Sequence, residues 1–244
     1  MRIERQGEVA VLRLESGKVN AIGPAFLEQL NGLLDGLGEA KAAVVIGRGN
    51  TFSAGLDLPA LVELEKPAMR AFIGQFNATM LRLFEAPIPL VAAVNGHAIA
   101  GGCVLALQAD LRLLADRDAR IGLNETQLGI GLPAVVLETL RCQVPPQSLA
   151  LIALEGRLFS PRDALQVGLV HEVVPEAELF DKALARAQAL AALWPAGVRQ
   201  VKSALRAPVA ARIRELDAAQ SDKWVESWLS AEPLLRATVA RLKK

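Results

Sequence analysis

One carboxylate stands in a stretch that is otherwise apolar or neutral: Glu125, within Ile121-Gly122-Leu123-Asn124-Glu125-Thr126-Gln127-Leu128-Gly129. Such surroundings raise the proton affinity of a carboxyl group, which suits a general base working near neutral pH. They suit one half of a buried ion pair equally well. Two glycine-bearing segments offer a different resource, the backbone N–H. In Phe52-Ser53-Ala54-Gly55-Leu56-Asp57-Leu58, Gly55 permits dihedral angles that other residues resist, so the Leu56 amide can be turned outward as a donor. In Asn95-Gly96-His97-Ala98-Ile99-Ala100-Gly101-Gly102 the paired glycines allow a ligand to approach closely, and an opening helix adds partial positive charge at the Gly101 amide. Two such amides aimed at one point would make an oxyanion hole. Read singly, each segment is equally a structural turn.

Other chemistry-bearing residues have plainer readings. His97 and His171 have no nucleophile-elbow serine to serve and read as structural histidines. Gly47-Arg48-Gly49 lacks the later glycine of a dinucleotide loop, where Phe52 stands, and no long helix opens there. Cys103, at a helix start, reads as packing rather than as a thiolate. Asp57 reads as a cap or an orienter of its own loop. The two cysteines, Cys103 and Cys142, are far apart and fit no metal-ligand spacing.

The elements that must position these groups alternate between strand and helix. Val9 to Leu14 reads as a strand and Pro24 to Leu37 as a helix stopped by Gly38. Ala43 to Ile46 is an all-apolar run suited to a strand buried on both faces. Met69, Phe72, Ile73, Phe76 and Met80 mark a helix closed by Pro87 and Pro89, and Leu90 to Val94 is the next strand. A short helix over Cys103 to Ala109 and a strand over Leu111 to Leu114 follow. Ser160-Pro161-Arg162-Asp163 is a helix start, Gly168 its stop, and Leu169 to Val174 a further strand. From Glu176 onward the signals are helical, with breaks expected near Pro195, Pro208 and Pro233. Trp224 and Trp228, at i and i+4, share one face of a tail helix that packs against the body or a second subunit. The expected division is an α/β body over residues 1–190 and a helical region over 191–244.

Composition narrows the class. The chain is 52% hydrophobic, only 4% aromatic and without tyrosine, so its core must be aliphatic. A net charge of +1 provides no long-range field for nucleic acid or an acidic membrane surface. The most apolar window, Leu90 to Leu107, is broken by Asn95, His97 and glycines, which argues against a membrane span. Sparse cysteines and an opening Met1-Arg2-Ile3-Glu4-Arg5 without an apolar stretch lead us to expect a cytoplasmic protein.

The segments Ser53-Ala54-Gly55-Leu56-Asp57-Leu58, Ala100-Gly101-Gly102-Cys103 and Gly122-Leu123-Asn124-Glu125-Thr126-Gln127-Leu128-Gly129, in this order and spacing, resemble the crotonase (enoyl-CoA hydratase/isomerase) superfamily. The likeness continues through Leu158-Phe159-Ser160-Pro161 and Ala164-Leu165-Gln166-Val167-Gly168-Leu169-Val170 to Ala240-Arg241-Leu242-Lys243. Among the subfamilies it most resembles the mitochondrial-type Δ3,Δ2-enoyl-CoA isomerases. The resemblance implies a spiral of ββα repeats, a C-terminal helical region used to assemble trimers or hexamers, and an acyl-CoA thioester as substrate. No metal or separate cofactor is implied, coenzyme A being part of the substrate. It implies that the Leu56 and Gly101 amides hold the thioester oxygen. Ala54, Gly55, Leu56, Asp57, Leu58, Gly101 and Asn124 would line the substrate site, and Glu125 would be the catalytic base. Lys18-Val19-Asn20-Ala21-Ile22 resembles the family stretch that passes near the coenzyme. Hydratases of the family carry a glutamate directly after Gly-Gly-Cys, where this chain has Val104. A single carboxylate suits movement of a double bond better than addition of water. The expected activity is therefore isomerisation of 3-enoyl-CoA to trans-2-enoyl-CoA in fatty acid β-oxidation. The alternatives are hydration or hydrolysis by a related enzyme, or a non-catalytic acyl-CoA-binding subunit.

Overall fold

Short runs of Val, Ile, Leu and Ala form the centre of the protein because, covered on both faces, they bury nearly every side chain. In the computed structural model, which describes residues 1–242, these runs are β2 (Val9–Arg13), β3 (Ala42–Ile46), β5 (Leu90–Val94) and β7 (Leu111–Asp116). With β1 (Arg2–Gln6) and β9 (Glu172–Pro175) they make a six-stranded sheet in the order β1-β2-β3-β5-β7-β9. Pairing is parallel apart from the β1–β2 hairpin, with Val11 opposite Val44, Val44 opposite Val91 and Leu114 opposite Val173.

A second, three-stranded parallel sheet stands beside it, built from β4 (Thr51–Ser53), β6 (His97–Ile99) and β8 (Ile121–Gly122) in that order. The chain visits a strand of the large sheet, then one of the small sheet, then helix, and repeats. After β3 and β4 come α2 (Leu58–Leu61) and α3 (Lys66–Phe84), and after β5 and β6 comes α4 (Gly101–Leu107). After β7 and β8 comes α5 (Ala134–Gln143). This is the ββα spiral the resemblance implied. Helix α1 (Pro24–Asp35) precedes these turns, and α6 (Pro161–Gln166) and α7 (Leu179–Ala191) follow them. The small sheet matters most for function. Its strands are parallel and adjacent, so their carboxyl ends lie side by side.

Two long C-terminal elements complete the fold: α8 (Pro195–Ser230) and α9 (Glu232–Leu242). Lys243 and Lys244, at the end of the expected helical region and of the matched tail, lie outside the described residues. Helix α8 is seated by charge as well as by apolar contact. Lys202 Nζ and Arg206 Nη2 each reach Asp110 at 2.7 Å, Lys202 Nζ also donates to Ile88 O, and Arg206 Nη1 donates to Phe84 O and Gln108 O. Trp224 and Trp228 are buried in the main core, ring centroids 5.6 Å apart, as core packing by that face requires. Among the described residues no helix is long and apolar enough to cross a membrane.

Three expectations need correction. The helix expected over Cys103 to Ala109 begins two residues earlier, because Gly101 and Gly102 form its first turn after Ala100 enters at φ 51°. Leu169 and Val170 are not strand. Their amides bond back to Ala164 O, closing α6, and β9 starts only at Glu172. Pro208 does not break the tail: α8 runs straight through it. A proline in a helix interior costs about 3 kcal/mol, yet Lys202, Arg206, Ala210 and Ile213 are all buried on either side of it. That packing holds the residues on either side in one continuous helix. Pro195 and Pro233 do mark helix starts, as expected.

Candidate functional site

The three candidate groups follow the carboxyl ends of the three small-sheet strands. Leu56 comes shortly after β4, Gly101 shortly after β6, and Glu125 shortly after β8. Because these strands are hydrogen-bonded neighbours in the order β4-β6-β8, residues distant in sequence are brought to one edge.

The Leu56 loop is held from both sides, and only one amide is spared. Ile22 N donates to Gly55 O at 2.7 Å, Asp57 N donates to Ile22 O at 3.0 Å, and Ala54 N donates to Val19 O at 2.9 Å. Gly55 N is bound by Ser53 Oγ. Among the described residues the Leu56 N–H has no acceptor. Gly55 turns at φ +88°, and a Cβ there would meet Ile99 O at 2.5 Å and the Gly101 nitrogen at 3.2 Å. The two loops are thus in direct backbone contact. The Gly101 amide opens α4, has no acceptor among the described residues, and sits where helix geometry leaves an N–H free. Gly102 is required for the same approach, since a Cβ there would lie 2.2 Å from Ser53 O.

Glu125 opens a 3-10 turn, Glu125–Leu128, ended by Gly129 at φ +74°. It is 7% exposed and makes no ion pair among the described residues, which decides between base and buried ion-pair partner in favour of an unpaired carboxyl. Its Oε2 and the neighbouring Asn124 Oδ1 are buried without a hydrogen-bond partner. Burial pushes the Glu125 pKa up to about 7, offset in part by its own backbone N–H. Buried polar atoms are rarely left unpaired in folded proteins. Two adjacent ones leave acceptors that a donor from outside the chain can meet. A carboxyl group poised near neutrality on the same sheet edge as two free donors can remove a proton next to a carbonyl while the oxygen takes up the charge.

The remaining candidates divide. Asp57 Oδ1 accepts from Ala60 N at 3.4 Å and caps α2, as its plainer reading held. Ala54 is exposed, while Leu58 is half-buried at the start of α2. Cys103 is fully buried, and its thiol is pushed far above the ordinary range by burial, then by the charge of Glu125, so packing rather than thiolate chemistry holds. His97 Nδ1 accepts from Arg120 N, and His171 Nδ1 from Arg112 N. Burial and the Arg112 charge hold His171 down to about 4. Both histidines are structural.

One role escaped the sequence reading, which named Asn20 only within the stretch from Lys18 to Ile22. Asn20 is buried at φ 50°, with Nδ2 donating to Leu14 O and Phe52 O and Oδ1 accepting from Ser16 N. Its carbonyl accepts from Ser53 Oγ, the group that also binds Gly55 N. Asn20 therefore braces the loop that presents Leu56. The tolerance of asparagine for positive φ was the one signal available.

The chain is similar to known proteins in sequence and in fold. The family model described as enoyl-CoA hydratase/isomerase matches residues 4–231. The chain is 35% identical over 228 residues to the human mitochondrial enoyl-CoA delta isomerase 1, covering 91% of this chain and 74% of that protein. It is 34% identical over 216 residues to a carnitinyl-CoA dehydratase of Salmonella paratyphi A, covering 85% of this chain and 80% of the relative. The crystal structure of human mitochondrial delta3-delta2-enoyl-CoA isomerase superposes with a TM-score of 0.91 at 32% identity, covering 99% of this chain and 97% of that one. With its ββα spiral and three strand ends converging on one edge, the chain belongs to the enoyl-CoA hydratase/isomerase family and has the crotonase fold.

Proposed function

We propose that this enzyme is a Δ3,Δ2-enoyl-CoA isomerase acting in the breakdown of unsaturated fatty acids, with Glu125 as its only proton carrier. The observation that carries the reading is the lone buried Glu125 carboxyl, unpaired and with its pKa near 7, while Val104 occupies the position of the hydratases' other glutamate. Glu125 takes a proton from C2 of the 3-enoyl thioester, and the C2 electron pair delocalises onto the thioester oxygen and the C3–C4 double bond. The oxygen accepts from the Leu56 and Gly101 amides. Return of the same proton to C4 moves the double bond to C2–C3 and restores the carboxylate. Each oxyanion donor contributes about 3 to 4 kcal/mol to such a step and a positioned base a factor of about a hundred to ten thousand. A pKa near 7 serves both halves, since the group must accept readily and donate readily.

Ala54 to Leu58, Gly101 and Asn124 are the proposed lining of the acyl-CoA site. The exposed Trp194, Val201 and Leu205 recur at helical spacing along one side at the start of α8, which supports assembly into trimers or hexamers through the C-terminal helices.

The likeness to a carnitinyl-CoA dehydratase favours a second reading, reversible loss of water from a hydroxyacyl thioester. Parallel assays separate the two. Isomerisation of trans-3-hexenoyl-CoA with little hydration of crotonyl-CoA is expected. Brisk hydration with the 3-enoyl thioester untouched would assign the chain to the second reading.

A further inference from the structure

A base without side-chain hydrogen bonds is placed by its backbone alone. Glu125 Oε2 has no partner among the described residues, so whatever holds the turn 125–131 holds the carboxyl. Within the turn, Ile130 N donates to Glu125 O at 3.0 Å and Gly129 N to Thr126 O at 3.2 Å. Its far end is gripped from outside by α8. Gly131 N donates to Ser227 Oγ at 3.2 Å, and the Trp224 indole Nε1 donates to Gly131 O at 2.8 Å. Ser227 Oγ in turn donates to Trp224 O at 2.8 Å, so the two side chains act as one clamp on a single residue. Behind the clamp lies a cavity of about 160 Å³, lined among others by Asn77, Asp217 and Lys223 together with Gly131, Trp224 and Ser227. A space of that size has room for several waters.

We infer that Trp224 and Ser227 are positioning residues for the base: by holding both polar groups of Gly131 they fix the turn that carries Glu125 and keep water in the cavity behind it from reaching the carboxyl. The inference rests on the proposed role of Glu125. Trp224 serves through one N–H as well as through its ring, and Ser227 through one acceptor. Loosening either bond lets the turn shift toward the cavity, which misplaces the carboxyl and hydrates it. The other titratable groups facing this region are the neutral Cys103 thiol on α4 and, across the cavity, Asp217 and Lys223 on α8.

The test compares Trp224→Phe, Ser227→Ala and Ser227→Thr with the full-length wild type. The first two should lower kcat by about tenfold to a hundredfold, in line with a displacement on the order of 1 Å, with KM little changed. They should also move the acid limb of the pH profile about one unit lower as the carboxyl becomes wetter. Ser227→Thr, which keeps the hydroxyl, should restore both. A fall in thermal midpoint alone, with kcat and the acid limb at wild-type values, overturns the inference. Titration of the Glu125 carboxyl by infrared spectroscopy, assigned by subtraction of Glu125→Gln, needs no substrate. If that titration shifts downward in Trp224→Phe while the wild type fails to isomerise, the clamp stands and the proposed reaction falls. If it does not shift, the clamp falls whatever the reaction.

Discussion

Gly55 and Gly101 meet backbone to backbone: a Cβ on Gly55 would stand 3.2 Å from the Gly101 nitrogen and 2.5 Å from Ile99 O. Gly55→Ala should therefore spread the two donor loops as well as strain a residue at φ +88°, which costs a side-chain-bearing residue about 1 to 2 kcal/mol. Turnover should fall by about a hundredfold or more, the cost of losing one oxyanion donor. A kcat comparison at saturating substrate, alongside a urea melt, checks it.

Glu125→Gln keeps the shape of the side chain and removes the proton carrier. Loss of turnover by at least about a thousandfold is expected, within the range for a positioned acid–base group. Binding of an acyl-CoA, measured calorimetrically, should stay within a few-fold of wild type. Undiminished turnover would remove Glu125 as the proton carrier, whereas binding without turnover in the wild type itself would favour a chain that holds thioesters without acting on them.

Activity should rise with pH through about 7, because the base must be ionised to act. Stability should move the other way. Burial raises the folded-state pKa of Glu125 from 4.5 to about 7, so the folded chain keeps a proton that the unfolded chain has lost. The stabilising contribution is full below pH 4.5 and is lost as pH rises through about 7, a change of about 3 kcal/mol at 1.36 kcal/mol per unit. Urea unfolding across that window should show the decline in the wild type and not in Glu125→Gln.

Asp110→Asn leaves Lys202 and Arg206 buried without their counter-charge. Removing one partner of a buried pair costs about 3 to 5 kcal/mol. Burial already draws Lys202 down to about 8 against the attraction of Asp110, so without the carboxylate its folded-state pKa falls further. The deficit should narrow as pH rises toward about 8, where the folded variant sheds a proton that the folded wild type still holds, and stay constant above it because the unfolded chains titrate alike. A lowered urea midpoint with an unchanged slope would place the effect on the folded state.

The central strands of the large sheet were legible because they are apolar: Leu90 to Val94 was read at its observed bounds, and Ala43 to Ile46 missed only Ala42, whereas the largely charged β1 went unread. The three proposed donor and base positions stand out as motifs, since Gly55 and Gly102 are needed where backbones touch and Glu125 stands alone among apolar or neutral neighbours. The small sheet was not. Its strands are two or three residues long, too short for any period to appear, and they exist only through pairing between distant segments. Lys202 and Arg206 were missed because cations on a helix ordinarily face water; only the distant Asp110 makes their burial tolerable. Pro208 misled because the packing on either side of it is invisible to local preference.

A methyl at Gly129 would touch Ala231 at 3.3 Å and lie 3.8 Å from Leu234, and α9 also packs on α2 beside the first donor loop. During synthesis both glycine loops therefore leave the ribosome well before the segment that roofs them. A nascent chain should remain inert toward thioesters until residues 195–242 have emerged and docked, so that onset of catalysis doubles as a signal that folding has reached its last step.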